Sequence, residues 1–381
     1  MTSADETTHG IAEAFEAEAE SAVGRINIAI YGATGAGKSS LLNAIFGADI
    51  ADTGVGEPVT AQTALYVNET GTLGIYDGAG FELGDRVKPA AELRRRITRN
   101  RRASRGTAAD AGVADIVHVA WYCVNGGTDR LEQGQIAAVR EIAKSGIPVV
   151  LVITKVRARD GVLDPAVEAF IDSIEQMDLP IVGGRPLATA AVESAFDGTG
   201  RYGLESLLDS TYAVVPEAQR VAMAAAQRID LSIKARYARS WIAGASAFAG
   251  GIGFTPIPVV DAAVLVPAQA ALMVKIATIY QIPKEQAAKL ATGVTSMASV
   301  GGKQAAASLV KLVPGVGNVI SAGVAGTITA VIGESWRGVS ERIFTGKLDL
   351  DDVTQLDSLA ETFTASVKKG RGAPAVPHDE I

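Results

Sequence analysis

A glycine-rich segment near the start of the chain carries the residue types needed to bind a phosphate group. Its residues are Gly32, Ala33, Thr34, Gly35, Ala36, Gly37, Lys38 and Ser39, followed by Ser40. Glycines let successive backbone N–H groups curl around an anion, and a helix N-terminus adds about half a positive charge. We expect Lys38 to reach the outer phosphates and the Ser39 hydroxyl to hold Mg²⁺. The segment therefore predicts a phosphate-binding loop.

The residues around this loop predict a strand before it and a helix after it. The run 25–31 is rich in β-forming residues, and 39–46 is apolar at helical spacing. The glycines then lie at a strand-to-helix turn, which is the context that distinguishes a phosphate-binding loop from a chance match. A glycine turn with a surface lysine is the disfavoured alternative.

The segment 48–63 is the next candidate for chemistry, because it lacks steady periodicity and carries several threonines. A Mg²⁺-nucleotide site commonly takes a second hydroxyl ligand from such a loop, which orders only when a γ-phosphate is present. We expect Thr60 to be that ligand, with Thr53 and Thr63 as alternatives. The competing interpretation is that these are ordinary loop threonines.

A predicted hairpin, with strands at 64–68 and 72–76, ends in Asp77 and is followed by Gly80. An acid at a strand end beside the phosphate loop can hold the Mg²⁺ shell through water. A glycine can offer its N–H to the γ-phosphate. We therefore expect Asp77 to be a metal-site residue and Gly80 to bind the nucleotide.

Strands and helices alternate from there to about residue 190. The pattern predicts strands at 115–124 and 147–153, helices at 130–145 and 164–177, and a strand end at 186–190. Such alternation favours a doubly wound, mostly parallel α/β sheet with ligand loops at the strand C-termini.

Length and composition bound the remaining possibilities. A chain of 381 residues suggests two domains, and a net charge of -7 gives no global positive field for nucleic acid. The only cysteine, Cys123, lies in an apolar run, so we expect core packing and a reducing, cytoplasmic setting. His118 is also expected in the core. No basic region followed by an apolar stretch opens the chain, which disfavours a cleaved signal peptide.

The second half is rich in small apolar residues and predicts an all-α, Ala/Gly-rich helical domain. The stretches 241–260 and 312–333 carry no charge over 20 and 22 residues, long enough to cross a bilayer. Their Ala, Gly, Ser, Thr and Pro supply little transfer energy. Two interpretations stay open: a soluble bundle, or a bundle that docks on or inserts into membrane.

The remaining segments flank or interrupt these domains. An acidic amphipathic helix is predicted at 1–24, an Arg-rich insertion at 86–111, a second amphipathic helix at 346–368 and a disordered tail at 369–381. The insertion is either a solvated segment or an electropositive arm for acidic lipid, RNA or an acidic partner. Because no aromatic residues interleave its arginines, RNA is disfavoured.

With these motifs in order, segment 25–215 resembles the G domain of Era-like small GTPases of the translation-factor-related class. The phosphate loop is similar to the first G motif, Thr60 to the second and 77–80 to the third. Thr154 and Lys155 resemble the start of the fourth motif, [NT]KxD, and Thr189 and Ala190 the fifth. The resemblance implies that GTP or GDP binds with Mg²⁺, that Lys38, Thr60 and Gly80 serve catalysis, and that Lys155 flanks the base.

Two residues depart from that family's pattern. Arg157 stands where an aspartate normally accepts two hydrogen bonds from guanine. The choice between guanine and adenine is therefore open, unless Asp160 or another acid replaces that aspartate. Phe81 stands where many GTPases carry the glutamine that orients water. This implies slow intrinsic hydrolysis, with water activated by another group, a cation or a second copy of the chain. Gly35 replaces the asparagine of potassium-activated relatives, so that route is not supported.

Segment 216–345 resembles the hydrophobic helical module behind the G domain of some bacterial membrane-associated GTPases, and the overall layout resembles immunity-related GTPases. The likeness rests on stretch 256–261 and the small-residue pattern. It implies a switch or slow GTPase that couples nucleotide state to a helical domain at a membrane or partner surface. The location would be cytoplasmic, or peripheral or integral at the inner face of the cell membrane. Alternatives are an ATP-using P-loop ATPase or kinase, and a non-enzymatic nucleotide-bound scaffold.

Overall fold

The computed structural model describes eight stretches of the chain. They are residues 24–47, 65–77, 116–128, 130–194, 198–252, 261–283, 286–287 and 322–348. Several predictions fall outside them: the N-terminal helix up to residue 23, Thr60, Gly80, Phe81, the Arg-rich insertion, stretch 256–260, and the C-terminal helix and tail beyond residue 348. The described residues belong to two compact units, divided between Asp230 and Leu231.

The first unit contains the predicted α/β sheet. Its strands are β1 (Ile26–Tyr31), β2 (Leu65–Val67), β3 (Leu73–Asp77), β4 (Val119–Asn125), β5 (Val149–Thr154) and β8 (Leu187–Ala188), in the order β2-β3-β1-β4-β5-β8. All neighbours pair in parallel except β2 and β3, which form the predicted antiparallel hairpin. A separate two-stranded hairpin, β6 (Ala158–Arg159) with β7 (Val162–Leu163), follows β5. The mostly parallel α/β prediction is confirmed.

Five helices of this unit are described. They are α1 (Lys38–Phe46), α2 (Gln133–Lys144), α3 (Pro165–Glu175), α4 (Leu204–Val214) and α5 (Glu217–Ala226). Local sequence sets their starts: Glu132 and Gln135 form a capping box on α2, and the Asp164 side chain accepts from the Ala166 N–H ahead of α3. Every residue of β1 and β5 is buried, as expected for central parallel strands.

The first unit ends in a short break between two helices. The chain leaves α5 at Gln227, which is buried, and the next helix begins at Leu231. The Gln227 amide accepts from the Ile229 and Asp230 N–H groups at 2.8 and 2.7 Å and donates to the Asp230 carbonyl at 2.6 Å. The Arg228 N–H donates to the Ile45 carbonyl of α1 at 2.8 Å. The division of the chain therefore lies near residue 230, whereas the sequence suggested 215.

The second unit is helical, as predicted. Its described helices are α6 (Leu231–Ile252), α7 (Asp261–Ile279) and α8 (Ala322–Phe344). A Cβ added at Gly333 would lie 2.7 Å from the Ile242 side chain, so glycine allows α8 to approach α6 closely. Lys234 is fully buried, donates to the Ile279 carbonyl at the end of α7 at 2.6 Å, and lies 4.7 Å from the centre of the Phe344 ring. Across the described stretches, none of the helices combines the length and apolar character that crossing a membrane requires.

Candidate functional site

The glycine-rich segment forms a tight loop between β1 and α1. A Cβ on Gly32 would lie 2.3 Å from the Cys123 carbonyl oxygen of the neighbouring strand β4, so only glycine fits directly after β1. Gly37 takes a left-handed conformation, with φ at 79°, at the start of α1. The predicted strand–loop–helix arrangement is present, and its turn depends on residues without side chains.

Lys38 lies against the backbone of this loop. Its ammonium donates to the Gly32 carbonyl at 2.9 Å and to the Ala33 carbonyl at 3.2 Å. The first intrahelical bond of α1 runs from the Leu41 N–H to the Gly37 carbonyl at 2.9 Å, so the amides of residues 38–40 precede it. A lysine ammonium and a helix N-terminus therefore meet at one place, which suits an anion.

Thr154 links the loop to the ends of two strands. It is buried, and its hydroxyl donates to the Ala36 carbonyl at 2.6 Å and lies 3.1 Å from the Val124 carbonyl. Its hydroxyl braces the loop against the ends of β4 and β5. The resemblance to the fourth motif predicts that Thr154 binds nucleotide, and it lines the cavity described below. The adjoining residue Lys155 is exposed, and its Cε lies 3.6 Å from the Cβ position of Gly37.

A cavity of about 310 Å³ opens beside the loop, at the C-terminal ends of β5 and β8. Its lining includes Gly37 and Ser40 from the loop and α1, Lys155 and Arg157 after β5, and Ala190 after β8. Thr154, Thr189 and Leu41 line it as well. The structure thus places residues of the first, fourth and fifth motifs around one cavity.

Backbone bonds hold the far wall of this cavity in place. The Thr189 N–H donates to the Ile153 carbonyl at 2.7 Å, and the Val156 N–H donates to the Thr189 carbonyl at 3.2 Å. Ala190 and Tyr202 exchange N–H to carbonyl bonds of 2.9 and 3.0 Å. The loop after β8 is therefore tied both to the end of β5 and to the segment before α4.

The predicted metal site is partly described. Ser39 is exposed in the first turn of α1, and Asp77 ends β3 in register with Ile30, two residues before Gly32. Serine and aspartate supply the oxygen ligands that Mg²⁺ prefers, and the shared metal site stays a prediction. Thr60 and Gly80 lie outside the described residues, so their predicted roles stay predictions.

Cys123 is fully buried, as predicted, whereas His118 is only partly buried. Burial raises the pKa of the Cys123 thiol to about 12, against a smaller opposing effect of the Lys38 charge, so the thiol is a poor nucleophile near neutral pH. Burial also lowers the pKa of His118 from its usual value. The His118 Nδ1 accepts from the Asn27 N–H at 2.9 Å, at the seam between β1 and β4.

The outer wall of the cavity contains residues that the sequence pattern does not predict. Val192, Ser194 and Thr199 also line it, and Ser194 pairs with Thr199 in an isolated bridge. Val192 is 65% exposed. Its place two residues after Ala190 of the predicted fifth motif was the available signal, but a single apolar residue in a loop has no periodicity to mark it.

Comparison with known proteins supports the assignment of the first unit. Residues 27–155 match the family model described as 50S ribosome-binding GTPase. The first unit has a P-loop GTPase fold. The matched range runs from β1 through the phosphate loop to Lys155. It stops before Thr189 and Ala190.

Two other comparisons add little. A crystal structure of an S. thermophilus NFeoB mutant bound to GDP is similar at 15% sequence identity, over 90% of this chain and 99% of that chain, with a TM-score of 0.27. A TM-score this low supports no conclusion about this chain. No curated protein matches it.

Proposed function

We propose that this chain is a GTP-binding protein that acts as a Mg²⁺-dependent switch or slow GTPase, converting GTP to GDP and phosphate. The observation that carries the proposal is that the N-terminus of α1, where the Lys38 ammonium holds the loop backbone, adjoins the cavity of about 310 Å³ through Gly37 and Ser40. Phosphates would lie at the loop, and the base would enter the cavity between Lys155 and Ala190. The family match of residues 27–155 supports a guanine nucleotide as the ligand.

Each residue has a proposed task. Lys38 neutralises the outer phosphates, Ser39 with Thr60 and Asp77 holds Mg²⁺, and Gly80 offers its N–H to the γ-phosphate. When bound, Mg²⁺ neutralises charge on the phosphate oxygens. Lys155, whose stem lies beside Gly37, covers the base.

Slow hydrolysis follows from the residue after Gly80. Phe81 cannot orient an attacking water by hydrogen bonding, and Gly35 does not supply the asparagine of potassium-activated relatives. We expect turnover on the order of 10⁻³ s⁻¹ for the isolated protein, as for GTPases that lack an activating group. Another group, a cation or a second copy of the chain would raise it.

The second unit is the proposed output of the switch. Loss of the γ-phosphate would release the segments around Thr60 and Phe81 and change how the helical unit meets a membrane or protein partner at the inner face of the cell membrane. The small-residue packing of α6 and α8 at Gly333 supports a close-packed helical module in this role.

Turnover measurements test this function directly. Phosphate release from GTP and from ATP would be followed with the full chain, with and without liposomes containing anionic lipid. The proposal predicts slow release from GTP that Lys38→Ala abolishes. Preferred use of ATP would favour an ATPase instead, nucleotide binding without any turnover would favour a scaffold, and many turnovers per second would contradict slow hydrolysis.

A further inference from the structure

We propose that Arg157 reads the base through the 6-oxo group and N7, so that the site accepts 6-oxopurine nucleotides as a class, inosine as well as guanosine. This inference rests on the proposed nucleotide-binding function. It assigns the base contact to a residue that cannot make the aspartate contact of the resembled family. The 2-amino group of guanine would then contribute little to affinity.

The backbone fixes Arg157 at the rim of the cavity. Lys155 takes a left-handed conformation with φ at 57°, and Val156 between the two is buried and donates to the Thr189 carbonyl. The Arg157 carbonyl accepts from the Asp164 N–H at 3.0 Å, which holds it at the start of α3. The exposed Arg157 side chain therefore begins from a well-held position and lines the cavity.

The nearest acid in sequence does not replace the missing aspartate. Asp160 lies in the turn between β6 and β7, with φ at 51°, and is not part of the cavity lining. Among the described residues that line the cavity, none is an aspartate or glutamate. The N1–H and 2-amino donors of guanine thus meet no carboxylate in the part of the site that the structure describes.

Hydrogen-bond chemistry then selects the base. A guanidinium only donates hydrogen bonds. Guanine presents two adjacent acceptors, O6 and N7, and one arginine can donate to both at the same time. Hypoxanthine presents the same two acceptors without a 2-amino group. Adenine presents N7 but places an amino donor at position 6, facing the arginine donors. We therefore expect nucleotides of guanine and hypoxanthine to bind with about equal affinity, and nucleotides of adenine to bind more weakly.

Calorimetric titration of the full chain with Mg²⁺ and GDP, IDP or ADP tests this order. IDP should bind within about threefold of GDP, and ADP about tenfold or more weakly, since a bidentate arginine contact is worth roughly 1–3 kcal/mol. A GDP affinity ten or more times that for IDP would overturn the inference while leaving the proposed function intact. Absence of heat from all three nucleotides would overturn both.

Variants assign the effect to Arg157. Arg157→Ala should reduce the preference for GDP over ADP to about threefold or less, and Arg157→Asp should create a preference for GDP over IDP of about tenfold. Arg159→Ala is the matched control, because Arg159 is an exposed arginine two residues away that does not line the cavity. An unchanged GDP-to-ADP ratio in a folded Arg157→Ala protein, checked by its thermal melting curve, would overturn the inference.

Discussion

Gly32 is the single residue on which the shape of the phosphate loop depends most. We expect Gly32→Ala to lower the free energy of unfolding of the first unit by roughly 2 kcal/mol or more. The added Cβ would lie 2.3 Å from the Cys123 carbonyl oxygen, at a φ of 140°. Native-state hydrogen exchange of the β1 and β4 amides would measure the loss, because those amides report on this unit alone.

Gly35→Ala is the control for backbone strain without a clash. Gly35 has a φ of 77° but no atom within 4 Å of an added Cβ. Backbone strain alone should lower the free energy of unfolding by about 1 kcal/mol. If the two variants lost equal stability, the close approach of Gly32 to β4 would not be the reason for glycine there.

Single-residue roles could be predicted where the chemistry is local. The strand-to-helix turn of the loop, with Gly37 at the helix start, follows from one contiguous segment. The role of Thr154 could not be predicted, because its hydroxyl bonds to the carbonyl of Ala36, 118 positions earlier in the chain. A motif names a residue type at a position, and only the folded chain shows which atom it touches.

At the scale of elements, the Thr154 hydroxyl joins the loop to β4 and β5. Thr154→Val keeps the shape of the side chain but removes its hydroxyl donor. The Ala36 carbonyl then loses this buried hydrogen bond. We expect a loss of about 1–2 kcal/mol in the free energy of unfolding and weaker GDP binding, since the loop loses its brace. Hydrogen exchange and calorimetry would measure the two effects.

Thr128→Val provides the matched comparison. The Thr128 hydroxyl also donates to a carbonyl, that of Asn125 at 2.7 Å, but the bond is exposed. Its loss should cost less than about 0.5 kcal/mol and leave GDP affinity unchanged. Equal effects of the two substitutions would show that the brace has no special role.

His118 makes the seam between β1 and β4 sensitive to acid. Burial lowers its pKa below the ordinary 6.5, so the folded unit holds the neutral imidazole. The unfolded chain binds the extra proton as pH falls through 6.5, and the free energy of unfolding should therefore decrease on acidification below that value and not above it. NMR titration of the imidazole, assigned with His118→Gln, should give a pKa below 6.5. A value above 6.5 would contradict this reading.

Elements with strong periodicity were predictable, and short ones were not. The hairpin of β2 and β3 and the buried strand β5 follow from apolar runs bounded by turns. The two-residue strands β6 and β7 are too short to leave a pattern. The break at Gln227 was also missed, because a buried glutamine that bonds to its own chain looks in sequence like any polar helix residue.

At the scale of the whole molecule, the chain has two units, 24–230 and the helices from Leu231 onward, which the proposed switch would couple. If nucleotide state controls the helical unit, hydrogen exchange in α6 and α8 should differ between the GDP-bound chain and the chain with a non-hydrolysable GTP analogue. The Lys38→Ala variant should show no such difference. Identical exchange in the two nucleotide states would contradict the coupling and leave nucleotide binding untouched.

Composition predicted the division into an α/β unit and a helical unit, because charged residues become rare after about residue 240. It did not predict the buried Lys234, which bonds to the Ile279 carbonyl and lies against Phe344. Its charge sits at a helix C-terminus, where a cation is favoured. Sequence alone cannot show this, since both partners come from other helices.

The most direct test of the central claim is calorimetric titration of the purified full chain with GDP in the presence of Mg²⁺, repeated with Lys38→Ala. We expect measurable binding that the substitution weakens by about tenfold or more, because a charge-assisted hydrogen bond contributes roughly 1.5–3 kcal/mol. Lys144→Ala, which removes an exposed lysine paired with Glu141, should bind GDP like the unsubstituted protein. No heat from GDP or GTP, or equal affinity with and without the Lys38 ammonium, would contradict the account.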